Sequence, residues 1–472
     1  MISRIVRIPA QNYDEIFSAA GRLCNLKESG YVEEEYFFDG TANIYERTDD
    51  GGKTIRYKEA PYTSRFLVRR PEKKENFSGN IVIEIMNSTP GFDLDRSWII
   101  TWKQIVRNGD IYIGLMSKPN VIAAMQKFNA ERYASLSWKN PIQYDEATTE
   151  RVRHGFGTSP ESETGLFWDI LMDVAKVVRK DNDLNPVKEF VSDNTKVILI
   201  GWSQSGGYIL RFMKDFADAE GKDLFDGYFS MGSAAVAAPN LNQEDPGLWS
   251  DDDLRPANTT KPFIDMHTES DNYDLGGAQT RMVNGPLYRI YDIAGPSHDT
   301  TYSEEEYYAE DTCLRSIGRL MQYNGADEHP NSFPYHFAYQ AGLLYLENWI
   351  RTGKAPFEID SIPITDGHNA KDQDGNSIGG WRLPQIDLPI CAYYGTSTGS
   401  KIPGDSFTQM VYGREEPFTK EDLLSRYNSL DHYKEMIINA TDNCIKKGLL
   451  LFSDRDEAIE RAVKKAVEYG LS

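Results

Sequence analysis

The chain has 472 residues, 40% hydrophobic and 26% charged, and its 51 Lys+Arg against 72 Asp+Glu give a formal net charge of −21. The apolar fraction is ordinary for a folded protein, which excludes a wholly disordered or collagen-like chain. The acidic balance argues against a nucleic-acid partner, because neutralising phosphates takes a basic face, and it serves solubility instead.

The first ten residues, MISRIVRIPA, place Arg4 and Arg7 inside what would have to be the apolar core of a signal sequence. No run approaches the roughly 18 apolar residues of a membrane helix. The expectation is a cytoplasmic protein with no membrane partner. Residues 1–75 are rich in strand and loop signals and end in the alternating pattern of Ser64 to Arg70, stopped by Pro71. Ile81 to Met86 is a nearly continuous apolar run, as in a strand buried on both faces of a parallel sheet. A helix over Ser97 to Val106 and a strand over Ile111 to Leu115 follow. Between 163 and 179, Leu166, Phe167, Ile170, Leu171, Val174 and Val178 recur at helical spacing. The pattern then predicts a strand over Lys196 to Ile200, a helix over Tyr208 to Phe216, and a strand near Phe225 to Met231. Two further strands cover Pro262 to Met266 and Leu287 to Asp292, before a helix near Phe337 to Arg351. From about Pro356 the alternation stops, giving way to a Gly/Pro/Asp-rich stretch and helices near 420–447 and 456–469.

Strands alternating with helices predict an α/β fold with a doubly wound, mostly parallel sheet. The expected organisation is one domain: a β-rich N-terminal extension (1–75), a core (76–355) and a C-terminal helical and loop appendage (356–472) packed on that core. Four scattered cysteines, Cys24, Cys313, Cys391 and Cys444, with no C-x-x-C spacing, read as reduced core thiols.

Two segments compete for the role of nucleophile elbow. Gly395-Thr396-Ser397-Thr398-Gly399 matches G-x-S-x-G literally, whereas Gly201-Trp202-Ser203-Gln204-Ser205 has a serine where the second glycine belongs. The elbow needs a sharp turn from a buried strand into a helix, with small residues flanking the serine by two. Ser203 has that strand, that helix and a small Ser205. Ser397 is followed by Ser400-Lys401-Ile402-Pro403-Gly404, where no helix starts promptly, so it reads as an ordinary turn. A serine hydroxyl needs a base and an orienting acid, and in this fold class they follow in the order serine, acid, histidine. His298 lies in the short loop after the strand ending at Asp292, where such a base belongs. Asp271 and Glu269 both follow the strand ending at Met266. Asp271 is the preferred acid and Glu269 the alternative. The oxyanion hole is expected to use the backbone N–H of Gln204 and a second N–H from Ser88 or Thr89, in the loop after the first core strand.

These segments resemble the α/β-hydrolase superfamily, and more narrowly a group of bacterial α/β-hydrolase domain proteins. The resemblance rests on R-F-L-V-R-R-P, I-V-I-E-I-M-N, the K-P-N-V segment leading to E-R-Y-A-S-L, G-W-S-Q-S-G-G, H-T-E-S-D, Y-D-I-A-G-P-S-H and G-N-S-I-G-G-W-R-L-P, together with the run from Val411 to Ala466. It spans the chain from about Ser64 to the C-terminus. It implies Ser203 as nucleophile, His298 as base and an ester-hydrolase-like activity on a small-molecule ester. The H-T-E-S-D stretch carries both carboxylates and leaves the acid open.

Rival chemistries have less support. There is no H-E-x-x-H, no zinc-spaced Cys/His cluster and no nucleotide-binding glycine motif, so neither a metal nor another cofactor is expected. Asp366 to Asn376 has the composition of a calcium loop, but Gly375 is out of register for one. Two alternatives to an esterase stand: a peptidase or amidase using the same triad, and a non-catalytic binding protein that keeps the fold. The sequence is also compatible with a homo-oligomer.

Overall fold

The computed structural model describes residues 1–10, 15–19, 23–233, 239–244 and 260–472. They fall into two compact units, one comprising Met1–Phe263, Asp311–Leu320 and Ile350–Gly353, the other Ile264–Glu310, Met321–Trp349 and Lys354–Ser472.

The first unit is built on a sheet of β1 (Ile2–Ile8), β2 (Tyr31–Arg47), β3 (Lys53–Pro71), β4 (Asn80–Ile85), β5 (Ile111–Leu115), β6 (Lys196–Trp202) and β7 (Gly227–Met231), in the order β1-β2-β3-β5-β4-β6-β7. The last four in that order run parallel, and β1 to β3 join them antiparallel. Ile81, Val82, Ile83 and Ile85 of β4 are all fully buried, as are Ile111 and Ile113 of β5. Each such side chain contributes about 1.5–3 kcal/mol on leaving water, which is why these runs form the centre of the sheet. Three helices accompany the parallel strands: α1 (Arg96–Asn108), α2 (Phe167–Val178) and α3 (Gln204–Asp215).

Two boundaries depart from the sequence expectation. β3 begins eleven residues before Ser64, at Lys53; its first half is exposed and charged, with only Ile55 and Tyr57 alternating there, yet it pairs with β2 from Arg47↔Lys53 onward. α3 starts at Gln204 rather than Tyr208. Gly206 and Gly207 have poor helix propensity, yet a side chain at Gly206 would put its Cβ 2.5 Å from Ser233 Cβ, so the helix can approach β7 only with glycine there.

Strand order makes β4 the pivot. The chain passes from β4 to β5 on one side and then returns to β6 on the other, so the sheet reverses direction of growth between β4 and β6. In open α/β sheets the crevice outside the carboxyl ends of strands at such a reversal is where ligands bind. The loop after β4 carries Ser88 and Thr89, and the turn after β6 carries Ser203.

The second unit contains β8 (Phe263–His267) from its second residue, Ile264, onward, and its neighbour β9 (Tyr288–Asp292). It also holds the short α4 (Glu269–Asn272), most of α5 (His336–Thr352), an antiparallel pair of β10 (Cys391–Tyr394) and β11 (Arg414–Pro417), and the helices α6 (Leu430–Lys446) and α7 (Arg455–Glu468).

Candidate active site

Ser203 is the single residue between the end of β6 and the first residue of α3, and its backbone is at φ 56°, ψ −122°. A non-glycine residue at such angles stores on the order of 1–3 kcal/mol and persists only where its surroundings fix it. Here its N–H donates to the Met231 carbonyl at 2.8 Å, and its carbonyl accepts from the N–H groups of Gly206 (2.9 Å) and Gly207 (3.2 Å). Gly201 is required by the same turn: a Cβ there would lie 2.6 Å from the Ser205 carbonyl oxygen. Ser205 itself is buried, so a small residue suffices at the position where the motif has glycine.

The turn places the Gln204 N–H first in α3, where no intrahelical acceptor exists and the helix dipole favours negative charge. The facing loop is tied to it. Asn87 Nδ2 donates to the Trp202 carbonyl at 3.2 Å, and Ser88 Oγ lies 3.4 Å from Gln204 Oε1. Of the two donors expected from this loop, the Thr89 N–H is already bonded to Asn87 Oδ1 at 2.8 Å.

In the second unit, His298 follows β9 after a five-residue loop. Its Nδ1 stands 2.7 Å from Asp271 Oδ1. Asp271 Oδ2 accepts from the Thr268 N–H (2.8 Å) and hydroxyl (2.7 Å), while Thr268 Oγ accepts from the Asp271 N–H, a capping box that locks the carboxylate in place. Burial would push the Asp271 carboxyl up, but His298, His267 and the Thr268 bond outweigh it and hold the group below its ordinary value. The His298 N–H is fixed in turn by Ser270 Oγ at 2.9 Å, whose hydroxyl donates to the Gly395 carbonyl at 2.5 Å.

Glu269 points elsewhere. Its Oε1 accepts from the Gly295 N–H at 2.7 Å, its Oε2 meets Lys371 Nζ at 2.6 Å, and its N–H donates to the Pro296 carbonyl at 3.0 Å. Of the two carboxylates, Asp271 is brought to the imidazole and Glu269 clamps the loop that carries it. Lys371 carries no motif, and Ser270, though within the H-T-E-S-D stretch, has no role that sequence assigns. Ser397 donates its hydroxyl to the Gly399 carbonyl at 2.7 Å in a loop after β10, with no helix behind it. In the Asp366–Asn376 stretch, Asp372 Oδ1 accepts from the N–H groups of Asp374 and Asn376, both at 3.0 Å, which makes it a self-closed turn.

The profile of the alpha/beta hydrolase domain family matches residues 6–460. The chain belongs to that family. The hydrolase has the family's large, mostly parallel sheet with flanking helices. Among solved structures, esterase Est22 is 14% identical over 52% of this chain and 66% of its own, at a TM-score of 0.30. An esterase from Rhizomucor miehei is 11% identical over 53% and 72%, at 0.26. XC6422 from Xanthomonas campestris, described as an a/b serine hydrolase without lid, is 13% identical over 53% and 83%, at 0.27. These likenesses are too distant to carry an activity to this hydrolase. No curated protein matches the chain. Among the described residues, no helix is long and apolar enough to cross a membrane.

Proposed function

We propose that this hydrolase is a serine carboxylic ester hydrolase acting through an acyl-enzyme, with Ser203 as nucleophile, His298 as general base and acid, and Asp271 as the acid that orients it. The observation that carries the reading is the backbone of Ser203, a strained non-glycine turn between β6 and α3 beside the reversal point of the sheet. A residue that only linked strand to helix would not need those angles.

In this mechanism the ionised Asp271 accepts the Nδ1 proton of His298, so Nε2 is the basic nitrogen. Nε2 takes the Ser203 proton as Oγ attacks the acyl carbon. The developing oxyanion is received by the Gln204 N–H and, since the Thr89 N–H is occupied, by the Ser88 N–H. Collapse expels the alcohol with the proton returned from Nε2, and water repeats the sequence to release the acid. A fluorophosphonate probe labels the wild type and not Ser203→Ala, and the same substitution lowers p-nitrophenyl ester turnover by ~10⁴-fold or more. Equal labelling of both proteins overturns the assignment.

A further inference from the structure

The K-P-N-V segment has no place in that mechanism, yet it lies at the same end of the first unit's sheet as Ser203. Lys118 follows β5 by three residues. The loop that holds it is pinned to the loop after β4: Ser117 Oγ donates to the Met86 carbonyl at 2.6 Å, and Asn120 Nδ2 donates to the Ser88 carbonyl at 3.2 Å. Ser88 is the residue whose N–H is assigned above to the oxyanion. On the other side, Lys118 Nζ is 5.8 Å from the centre of the Tyr208 ring, which projects from α3 five residues beyond Ser203. The segment that carries Lys118 is therefore pinned to the β4 loop, and its ammonium faces the helix that the nucleophile starts.

Lys118 is 3% exposed. Among the described residues no carboxylate pairs with it, and burial alone moves its pKa, down to about 8. It thus remains mostly protonated at neutral pH. Its other neighbours compensate poorly: the Tyr208 and Phe156 rings stand at 5.8 and 6.0 Å, the outer limit of a cation–π contact. Two residues on, Asn120 Oδ1 is buried with no donor either. A buried charge without a counter-charge is costly. Buried arginines of this unit are not left so: Arg65 pairs with Glu35, Arg69 with Glu33 and Asp95, and Arg211 with Asp215. An isolated cation beside the oxyanion loop fits a counter-charge that arrives with the substrate.

We propose that Lys118 is a specificity-determining residue that binds a carboxylate on the substrate, so that the preferred substrates are esters bearing a free acid group. This rests on Ser203 being the nucleophile of an ester hydrolase. The test compares matched esters. On the acyl side the pair is mono-p-nitrophenyl glutarate and p-nitrophenyl pentanoate; on the alcohol side it is 4-acetoxybenzoate and 4-methylphenyl acetate. In at least one pair the wild type favours the acidic ester in kcat/KM by about 10- to 100-fold, the range of a hydrogen bond to a charged group. Lys118→Met removes that preference and Lys118→Arg retains part of it. Because the readout is a ratio within each protein, partial misfolding of a variant cancels. Hydrolysis with no acid preference in either pair, or a preference that survives Lys118→Met, overturns the inference and leaves the esterase reading standing. If no ester is hydrolysed and Ser203 is not labelled, it is the esterase reading that fails. Calorimetric titration with glutarate then decides for Lys118: binding that Lys118→Met weakens at least about tenfold supports the anion site, and unchanged or undetectable binding to the wild type overturns it.

Discussion

Glu269 and Asp271 stand two residues apart on one helical turn, are both fully buried, and have different duties. Asp271 meets the imidazole that the proposed mechanism charges during turnover, whereas Glu269 meets the Lys371 ammonium. Asp271→Asn keeps the shape but favours the wrong tautomer of His298, and kcat should fall by about 10⁴-fold with the fold intact. Glu269→Gln can still accept the Gly295 N–H but leaves Lys371 without its counter-charge. It should lower unfolding stability by about 1–3 kcal/mol and reduce kcat far less than Asp271→Asn does. Measuring kcat and the urea midpoint for both variants separates the roles, and the reverse ranking would refute them. Sequence exposes both carboxylates and prefers Asp271 only by its place past the strand end, because the contact that engages Glu269 comes from Lys371, about a hundred residues later. Ser88 and Thr89 look equivalent for a local reason, since only the turn geometry shows that the Asn87 side chain occupies the Thr89 N–H.

At the scale of elements, the nearly continuous apolar runs of β4, β5 and β6 were readable because both faces of those strands are buried. What patterning misses is charge used as core. Arg69 on β3 faces Glu33 on β2 across the ladder, with Nε 2.6 Å from its carboxylate, and reaches Asp95 before α1 at 2.6 Å and Ser18 Oγ at 2.7 Å. Its guanidinium also lies 4.5 Å from the Trp98 ring centre and 5.1 Å from that of Tyr112. A hydropathy reading marks Arg69 as solvent-facing, and only the arrival of Glu33 and Asp95 makes its burial tolerable. Arg69→Met keeps the volume but strands two buried carboxylates, which costs about 3–5 kcal/mol. Urea unfolding followed by tryptophan fluorescence should show that loss at an unchanged m-value. An unaltered midpoint would mean that this cluster does not hold β2, β3 and α1 together.

For the whole molecule, pH is the most telling variable. Burial disfavours a charged His267, yet Asp265, Asp292 and Asp271 outweigh that and raise its pKa to about 9. An unfolded histidine titrates near 6.5. The native chain therefore holds this proton more tightly than the unfolded one, so the associated stability is fully present below about pH 6.5 and is lost as the pH climbs through 9. The contribution is on the order of 3 kcal/mol. Urea midpoints at pH 6 and pH 9 should fall for the wild type, and His267→Gln should show a smaller difference between the two. An equal difference in both proteins would place the alkaline loss elsewhere. The sequence marks His267 only as a histidine at a strand end: Asp265 and Asp271 lie within four residues of it, but Asp292 comes from the next strand and nothing in the pattern shows that all three face the ring.

The central claim, that Ser203 carries the acyl group, is tested most directly by trapping it. After acid quench of the hydrolase turning over p-nitrophenyl acetate, mass spectrometry of its proteolytic peptides should find one acetyl group, on the peptide containing Ser203, and none in Ser203→Ala. An acetyl group carried stoichiometrically by another residue, or wild-type turnover in Ser203→Ala, would contradict it.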